Sequence, residues 1–322
     1  MLLRYFSFIF SLIALLIALW YGNRWDKQMR TLLAELEKSR EQQEQQLEET
    51  QLPEELVRYR AISYDLPETI KFAGEEVPLK EPDVRERLDR ELQINIYLHS
   101  STLFLMKRAN RWLPQMQEIL RRHNIPDDFK YLPLIESGLM NEVSPKEAVG
   151  YWQILKSAGK ELGLEITDEV DERYDPLKST EAACKYLNNA YRRLGNWTLA
   201  AASYNRGIKG IEDAIKQQQV NNYYDLFLPQ ETARYVFRIL AIKEIIENPK
   251  KYGFDVNPRH LYQPEQLRYV DVTETIPSLV QFALNQGSNY KLLKRHNPWL
   301  RAERLSVKRG KKYRIAFPVQ TN

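Results

Sequence analysis

Residues 131–154 read YLPLIESGLMNEVSPKEAVGYWQI and combine an acid with aromatic and apolar neighbours. Glu136 follows residues 132–135, which are mostly large and apolar. Ser137 and Gly138 come next, and a glycine at this place is typical of a helix end. The stretch therefore predicts a helix that ends here and presents the Glu136 carboxylate at its edge.

The second half of this stretch places two large aromatic side chains, Tyr151 and Trp152, beside the amide of Gln153. A carboxylic acid on an apolar background, close to aromatic and hydrogen-bonding groups, suits protonation of a bond between two sugars. The alternative is a helix-end glutamate with two aromatic core residues. These residues alone leave both interpretations open.

The bulk composition indicates a globular protein with a sizeable core. The chain has 322 residues, a hydrophobic share of 43% and a net charge of +4. This length suits one large domain with one or two small ones. The charge is spread along the chain without a basic block interleaved with aromatics, so nucleic acid is not indicated as a partner. Cys184 is the single cysteine, which excludes an intramolecular disulfide and predicts a buried core thiol.

The N-terminal part of the chain predicts a membrane anchor followed by a spacer. Residues 5–21 are uncharged and just long enough to cross a bilayer. A cleaved signal peptide is the alternative, although residues 18–20 (ALW) form a poor cleavage site. Residues 24–60 are highly polar and predict a solvated helical spacer. Residues 61–82 predict an extended segment that docks on the following domain.

Periodicity predicts a mainly α-helical protein with a small mixed module at its C-terminus. Val84, Leu88, Leu92 and Ile96 step by four and form one helix face. Pro126 fits the first position of a later helix, and the Asp175-Pro176 and Ser179 signals mark another helix start before residues 181–194. Residues 267–318 read as strand, helix, helix and strand. The predicted parts are residues 1–24 (membrane helix), 25–82 (spacer and linker), 83–256 (all-α catalytic domain), 257–266 (linker) and 267–322 (βααβ module).

The residue pattern favours carboxylate chemistry over metal, triad and phosphate-loop chemistry. The four histidines are scattered without paired spacing, so a metal site is not indicated, and no cofactor is expected. A Ser–His–Asp triad stays open, but the chain has no Gly-x-Ser-x-Gly motif. Glycine is too sparse for a phosphate-binding loop.

Four ordered motifs resemble the soluble lytic transglycosylase domain, which has a goose-type-lysozyme-like fold. They are Glu136-Ser137, AVGYWQI at residues 148–154, ASYNRG at 202–207 and ETARYV at 231–236. The segments YLPLIESG, LPQETARYVFRILA and NPKKYGFD are similar to a membrane-bound subfamily of lytic murein transglycosylases. The resemblance implies cleavage of the β-1,4 bond between N-acetylmuramic acid and N-acetylglucosamine in peptidoglycan, with formation of a 1,6-anhydromuramic end.

The resemblance also implies roles for individual residues. Glu136 would protonate the glycosidic oxygen and then accept a proton from the muramic C6 hydroxyl. The implied substrate-binding positions are Ser137, Gln153, Tyr204, Asn205, Tyr235, Tyr151 and Trp152. Core packing stays the alternative for at least one of Tyr151 and Trp152. Glu142 and Glu147 are interpreted as solvated loop charges, because neither matches a catalytic position of the family. Arg206 departs from the alanine that many members have.

The C-terminal residues resemble a lysin motif (LysM), a module that binds glycans containing N-acetylglucosamine. Residues 272–275 (VTET) replace the usual Gly-Asp-Thr turn, and a packing module without a ligand is the alternative. The resemblance implies peptidoglycan as partner and a membrane-anchored, periplasmic location. Three other functions stay open: a hydrolytic muramidase, a non-catalytic glycan-binding envelope protein and a cytosolic α-helical interaction protein.

Overall fold

The computed structural model describes residues 27, 30–42 and 62–319, and the chain forms two compact units, residues 1–62 and 63–322. Residues 30–42, within the predicted spacer, are helical and exposed at every position. The predicted membrane anchor at residues 5–21 lies outside the described residues. Among the helices that are described, none is both long enough and apolar enough to span a bilayer.

The second unit begins with an extended segment that closes one side of the helical core. β1 (Lys71–Phe72) and β2 (Glu75–Glu76) pair antiparallel. Phe72 has no exposed surface. The Glu75 carboxylate accepts a hydrogen bond of 2.6 Å from the backbone amide of Trp197, at a helix N-terminus where a negative charge is favoured. The segment therefore docks on the helices that follow it.

Residues 63–256, here named the helical domain, are built mainly from α-helices. They are α1 (Pro82–Tyr97), α2 (His99–Arg122), α3 (Leu132–Ser137), α4 (Lys156–Glu161), α5 (Pro176–Leu194), α6 (Trp197–Arg206), α7 (Ile208–Gln218) and α8 (Gln230–Glu247). The predicted apolar face of α1 is confirmed, because Val84, Leu88, Leu92 and Ile96 are all buried. The mainly helical architecture predicted for this domain is likewise observed.

Helix α6 lies at the centre of the helical domain. Ala200, Ala201 and Ala202 have no exposed surface, and their small side chains let α5 and α8 approach α6 closely. Cys184 on α5 is also fully buried and is a free thiol, as predicted. This packing fixes the position of the last turn of α6, which carries Tyr204.

Two helix starts differ from their predicted positions. Helix α5 begins at Pro176 because Asp175 provides its N-cap, whereas Ser179 lies inside the first turn and bonds back to the Asp175 carbonyl. Pro126 precedes a 3₁₀ helix, Asp127–Tyr131, as its N-cap and is not its first residue. Both shifts are local and leave the order of the elements unchanged.

The C-terminal module, residues 267–319, is a two-stranded sheet with two helices. Its elements are β3 (Leu267–Val272), α9 (Leu279–Asn285), α10 (Tyr290–His296) and β4 (Tyr313–Pro318). The strands pair antiparallel, with Val270 opposite Ile315. The module has its own core, in which Leu279, Leu293 and Phe317 are fully buried. The predicted strand–helix–helix–strand order is confirmed.

The C-terminal module is attached to the helical domain by backbone and side-chain hydrogen bonds. The Asp171 amide donates to the Trp299 carbonyl at 2.9 Å. The Tyr313 hydroxyl donates to Glu165 Oε1 at 2.9 Å. Val170 of the helical domain is buried within the core of the module. These contacts fix the orientation of the module on the helical domain.

Candidate active site

Helix α3 places Glu136 at the edge of the core. The helix ends at Gly138, whose φ of 59° lies in the left-handed region that glycine adopts at little cost. Leu132 and Leu134 are buried, whereas Glu136 in the last turn keeps part of its surface exposed. The helix end predicted from the Ser-Gly pair is confirmed.

The Glu136 carboxyl is bonded to a buried phenol. The Tyr235 hydroxyl donates to Glu136 Oε1, and the tyrosine is 1% exposed. Burial raises the pKa of Glu136; the Tyr235 bond and the Arg238 charge oppose this, and the Glu231 charge adds to it. Arg238 does not form a salt bridge with Glu136, since its Nη2 donates to the Ile135 carbonyl at 2.6 Å. The environment therefore favours the protonated carboxyl.

Tyr204 and Asn205 come to this site from the last turn of α6. The Tyr204 hydroxyl donates to the Trp152 carbonyl at 2.8 Å. Burial and then the Glu136 charge raise the pKa of Tyr204, so the two side chains interact electrostatically. Asn205 Nδ2 donates to Glu231 Oε1 at 3.0 Å, and Asn205 Oδ1 accepts from the Thr232 hydroxyl at 2.8 Å. These bonds tie the end of α6 to the start of α8.

Ser137 and Gln153 hold the loop that follows Glu136, residues 138–155. The Ser137 hydroxyl donates to the Tyr151 carbonyl at 2.9 Å. Gln153 has a φ of 48°, and its Nε2 donates to the Gly150 carbonyl at 2.9 Å. Both polar groups are thus bonded to backbone in this structure. A contact with a sugar, which the resemblance implies for them, stays a prediction.

The two aromatic residues of the loop have different surroundings. Trp152 has no exposed surface, and its indole Nε1 donates to the Thr180 hydroxyl at 2.8 Å. Trp152 is therefore a core residue beneath the site, as the packing alternative predicted. Any role that it has in binding is to support the residues that lie above it. Tyr151 packs edge-on against Trp112, with ring centroids 5.4 Å apart. Burial raises the pKa of Tyr151 to about 12.

A buried salt bridge that the sequence did not reveal holds the far end of the same loop. Arg173 donates from Nη2 to the Asp171 carboxylate at 2.7 Å, and both side chains are less than a tenth exposed. Arg173 Nη1 also donates to the carbonyls of Glu147 and Ile154 at 3.2 and 3.1 Å. A Cβ at Gly150 would lie 2.1 Å from the Arg173 carbonyl oxygen, so this close approach requires glycine. We name Asp171 and Arg173 the loop base.

Glu231 is a further residue that the sequence reasoning missed, although it stands in a quoted motif. It precedes Tyr235 by four residues, and this spacing puts both on one face of α8. This four-residue spacing from Tyr235 was the signal in the sequence that could have identified Glu231. Glu142 and Glu147 are exposed, as predicted for solvated loop charges.

The structure brings Glu136, Tyr235 and Tyr204 together, and we name these three residues the acid pocket. No salt bridge reaches Glu136 within the part of the chain that is described. Across the described ranges, no group of three or more His, Cys, Asp or Glu side chains is placed to hold a metal ion. A partly exposed carboxyl with a raised pKa can act as a general acid.

Comparisons with known proteins match both parts of the second unit. Residues 116–227 match the model of the transglycosylase SLT domain, and residues 268–321 match that of the soluble lytic transglycosylase C-terminal LysM-like domain. The chain is 33% identical over 191 residues to membrane-bound lytic murein transglycosylase D of Escherichia coli K12, and equally to that of strain O6:H1. That alignment covers 56% of this chain and 41% of the relative.

A further relative is a putative tributyltin chloride resistance protein of Alteromonas sp. strain M-1. It is 32% identical over 122 residues, which cover 37% of this chain and 59% of the relative. The chain thus spans about two fifths of the length of the curated transglycosylases that it matches. The SLT match contains Glu136, Gln153 and Tyr204, whereas Tyr235 lies beyond it.

Proposed function

We propose that the protein is a peptidoglycan lytic transglycosylase in which Glu136 is the catalytic acid and base. The observation that carries this proposal is the bond between Glu136 and the buried Tyr235 hydroxyl, at a carboxyl whose pKa burial raises. The SLT match of residues 116–227 supports the reaction class. The helical architecture around α3 supports a lysozyme-like fold.

The reaction requires one acid that acts twice. The protonated Glu136 carboxyl gives its proton to the glycosidic oxygen as the bond between that oxygen and C1 of N-acetylmuramic acid breaks. The muramic C6 hydroxyl then attacks C1, and its proton passes to the Glu136 carboxylate. The new bond closes the 1,6-anhydro ring, no water is added, and the acid returns to its protonated form. The Tyr235 hydroxyl stabilises the carboxylate between the two steps because it donates to that form.

A hydrolytic muramidase is the second candidate, and Glu231 is the observation that favours it. An acid pair is the usual requirement for hydrolysis of a glycosidic bond. Glu231 is the carboxylate whose charge raises the pKa of Glu136. However, its Oε1 accepts a hydrogen bond from Asn205, which identifies it as a group that orients Asn205. We therefore favour the lytic reaction.

Mass spectrometry of digested peptidoglycan distinguishes the two reactions. The full chain is incubated with purified peptidoglycan in water enriched in ¹⁸O. We expect 1,6-anhydromuramic ends without ¹⁸O. Reducing ends that carry ¹⁸O would contradict the proposal. A Glu231→Gln variant is the matched test, because it keeps an oxygen for Asn205 and should still form anhydro ends.

The location of the protein follows from its substrate. Peptidoglycan lies outside the cytoplasmic membrane, so we propose a cell-envelope protein with its helical domain on the periplasmic side, anchored through residues 5–21. A protease added to spheroplasts should degrade a reporter fused after Asn322. Protection of the reporter until the cells are lysed would contradict this orientation.

A further inference from the structure

A cleft of about 230 Å³ lies between the helical domain and the C-terminal module, and we name it the interdomain cleft. Trp112 and Tyr151 line it on the side of the helical domain, and Tyr269 and Arg314 line it on the side of the module. The hydrogen bond between the Asp171 amide and the Trp299 carbonyl lies between the same two parts, so both walls are fixed. The cleft is therefore a preformed site.

Tyr151 belongs both to the loop that Ser137 holds and to the wall of the interdomain cleft. The Tyr151 carbonyl accepts the hydrogen bond from Ser137, which directly follows Glu136. The Tyr151 ring contacts Trp112 and lines the cleft. The interdomain cleft therefore borders the loop that follows Glu136.

The charges of the cleft leave a surplus of guanidinium groups. Three arginines, Arg111, Arg295 and Arg314, face two carboxylates, Glu265 and Asp175. Glu265 is paired with Arg295 and lies 3.6 Å from Arg111. The Asp175 carboxylate accepts from two backbone amides at the start of α5. Arg314 lies over the Tyr269 ring at 4.1 Å, which leaves the edge of its guanidinium available for an anion.

An unsatisfied imidazole also lines this cleft. The His296 side chain is only 8% exposed, yet its Nε2 has no hydrogen-bond partner among the described residues. Glu265 Oε2 lies 3.4 Å away, without the geometry of a hydrogen bond. A buried polar atom without a partner costs free energy, and a ligand that supplies one recovers it. A peptide offers both acceptors and amide donors to this nitrogen.

We propose that the interdomain cleft binds the carboxylate-bearing peptide substituent of the glycan strand, with Arg314 and His296 as its polar contacts. A neutral hexosamine would gain nothing from the surplus guanidinium, whereas a peptide carboxylate pairs with it. The identity of the polymer rests on the proposed function. The cleft then selects strands that still carry their peptides.

Direct binding to the full chain tests this site without cleavage. The probe is a synthetic alanyl-γ-glutamyl-diaminopimelate tripeptide, and its affinity is measured by calorimetry. We expect Arg314→Gln to weaken binding by about tenfold or more, since bonds to charged groups are the stronger ones. Lys312→Gln is the matched control, because Lys312 is exposed and paired with Asp271, and it should leave the affinity within about twofold.

Histidine ¹⁵N spectra locate the bound probe. The tripeptide should shift the Nε2 signal that is absent in His296→Gln, and a fully amidated tripeptide should not. Equal affinity for wild type and Arg314→Gln would overturn the proposal, as would a shift caused by chitotetraose and not by the tripeptide. The digest in ¹⁸O water tests the proposed function independently of this binding assay. Anhydro ends without tripeptide binding would contradict only the peptide site. Tripeptide binding without anhydro ends would contradict only the proposed function.

Discussion

The acid pocket and the loop base both hold the loop of residues 138–155, but they surround a carboxylate in opposite ways. Asp171 in the loop base is paired with the Arg173 guanidinium at 2.7 Å. Glu136 in the acid pocket is bonded to a neutral phenol, and the nearby Arg238 donates to a backbone carbonyl. A paired cation holds a buried carboxylate in one position, whereas burial without a paired cation favours a protonated acid. The first arrangement supports the loop, and the second supplies the acid of the proposed reaction.

Removal of the acid should have the largest effect. Glu136→Gln should lower the rate of release of soluble muropeptides from peptidoglycan by about a thousandfold, within the range of general acid catalysis. Glu142→Gln, which changes an exposed carboxylate of the loop that follows Glu136, should keep wild-type activity. Wild-type cleavage by Glu136→Gln would show that the acid is assigned to the wrong residue.

Disruption of the loop base should mainly cost stability. Arg173→Met leaves the buried Asp171 without its cation and should lower the free energy of unfolding by about 3–5 kcal/mol in urea titrations. Lys209→Met removes an exposed cation paired with the exposed Asp213 and should cost less than about 1 kcal/mol. Similar losses for both variants would remove the distinction between a buried and a surface pair.

Tyr235→Phe should change the pH dependence of the reaction. The Tyr235 bond lowers the pKa of Glu136, so its loss raises that pKa further. Because the protonated acid starts the reaction, the fall of kcat on the alkaline side should move to higher pH, with kcat about tenfold lower at its optimum.

Tyr223→Phe is the control for this profile. Its buried hydroxyl donates to the Thr232 carbonyl, so it changes a tyrosine outside the acid pocket. The profile of this variant should match the wild type. An unchanged profile in Tyr235→Phe would mean that the phenol does not act on the acid.

The smallest effect concerns stability at the acid pocket. The folded-state pKa of Glu136 is raised above its ordinary value of 4.5, so its contribution to stability is present below that value and is lost as the pH rises through the folded pKa. Glu136→Gln should therefore have a higher Tm than wild type at pH 8, with a difference that shrinks toward pH 4.5. Calorimetry at both pH values measures the Tm of Glu136→Gln and of wild type. A Tm difference that grew toward low pH would contradict the predicted direction.

The sequence predicted the helix end at the acid pocket, but it did not predict the loop base. The end of α3 follows from Ser137-Gly138, because a left-handed glycine is a local property. The loop base depends on hydrogen bonds from Arg173 to the carbonyls of Glu147 and Ile154. Nothing in the sequence DERYDP of residues 171–176 distinguishes a buried, bonded arginine from a solvated one. The burial of Trp152 was open for the same reason, since packing is decided by residues distant in the chain such as Thr180.

The attachment of the C-terminal module shows the same limit. Its strands and helices follow local patterns, so their order was predictable. Its position depends on Val170, a residue of the helical domain that completes the core of the module. That contact, and with it the interdomain cleft, carries no periodic signal in the sequence.

A titration of the Glu136 carboxyl tests the central claim most directly. Glutamate is labelled with ¹³C at its carboxyl carbon in the full chain, and the Glu136 signal is identified by its absence in Glu136→Gln. We predict that this signal titrates above 4.5, the ordinary value, and that Tyr235→Phe moves its pKa higher. A Glu136 pKa at or below 4.5 would contradict the account, because the acid would then be ionised where it must donate a proton.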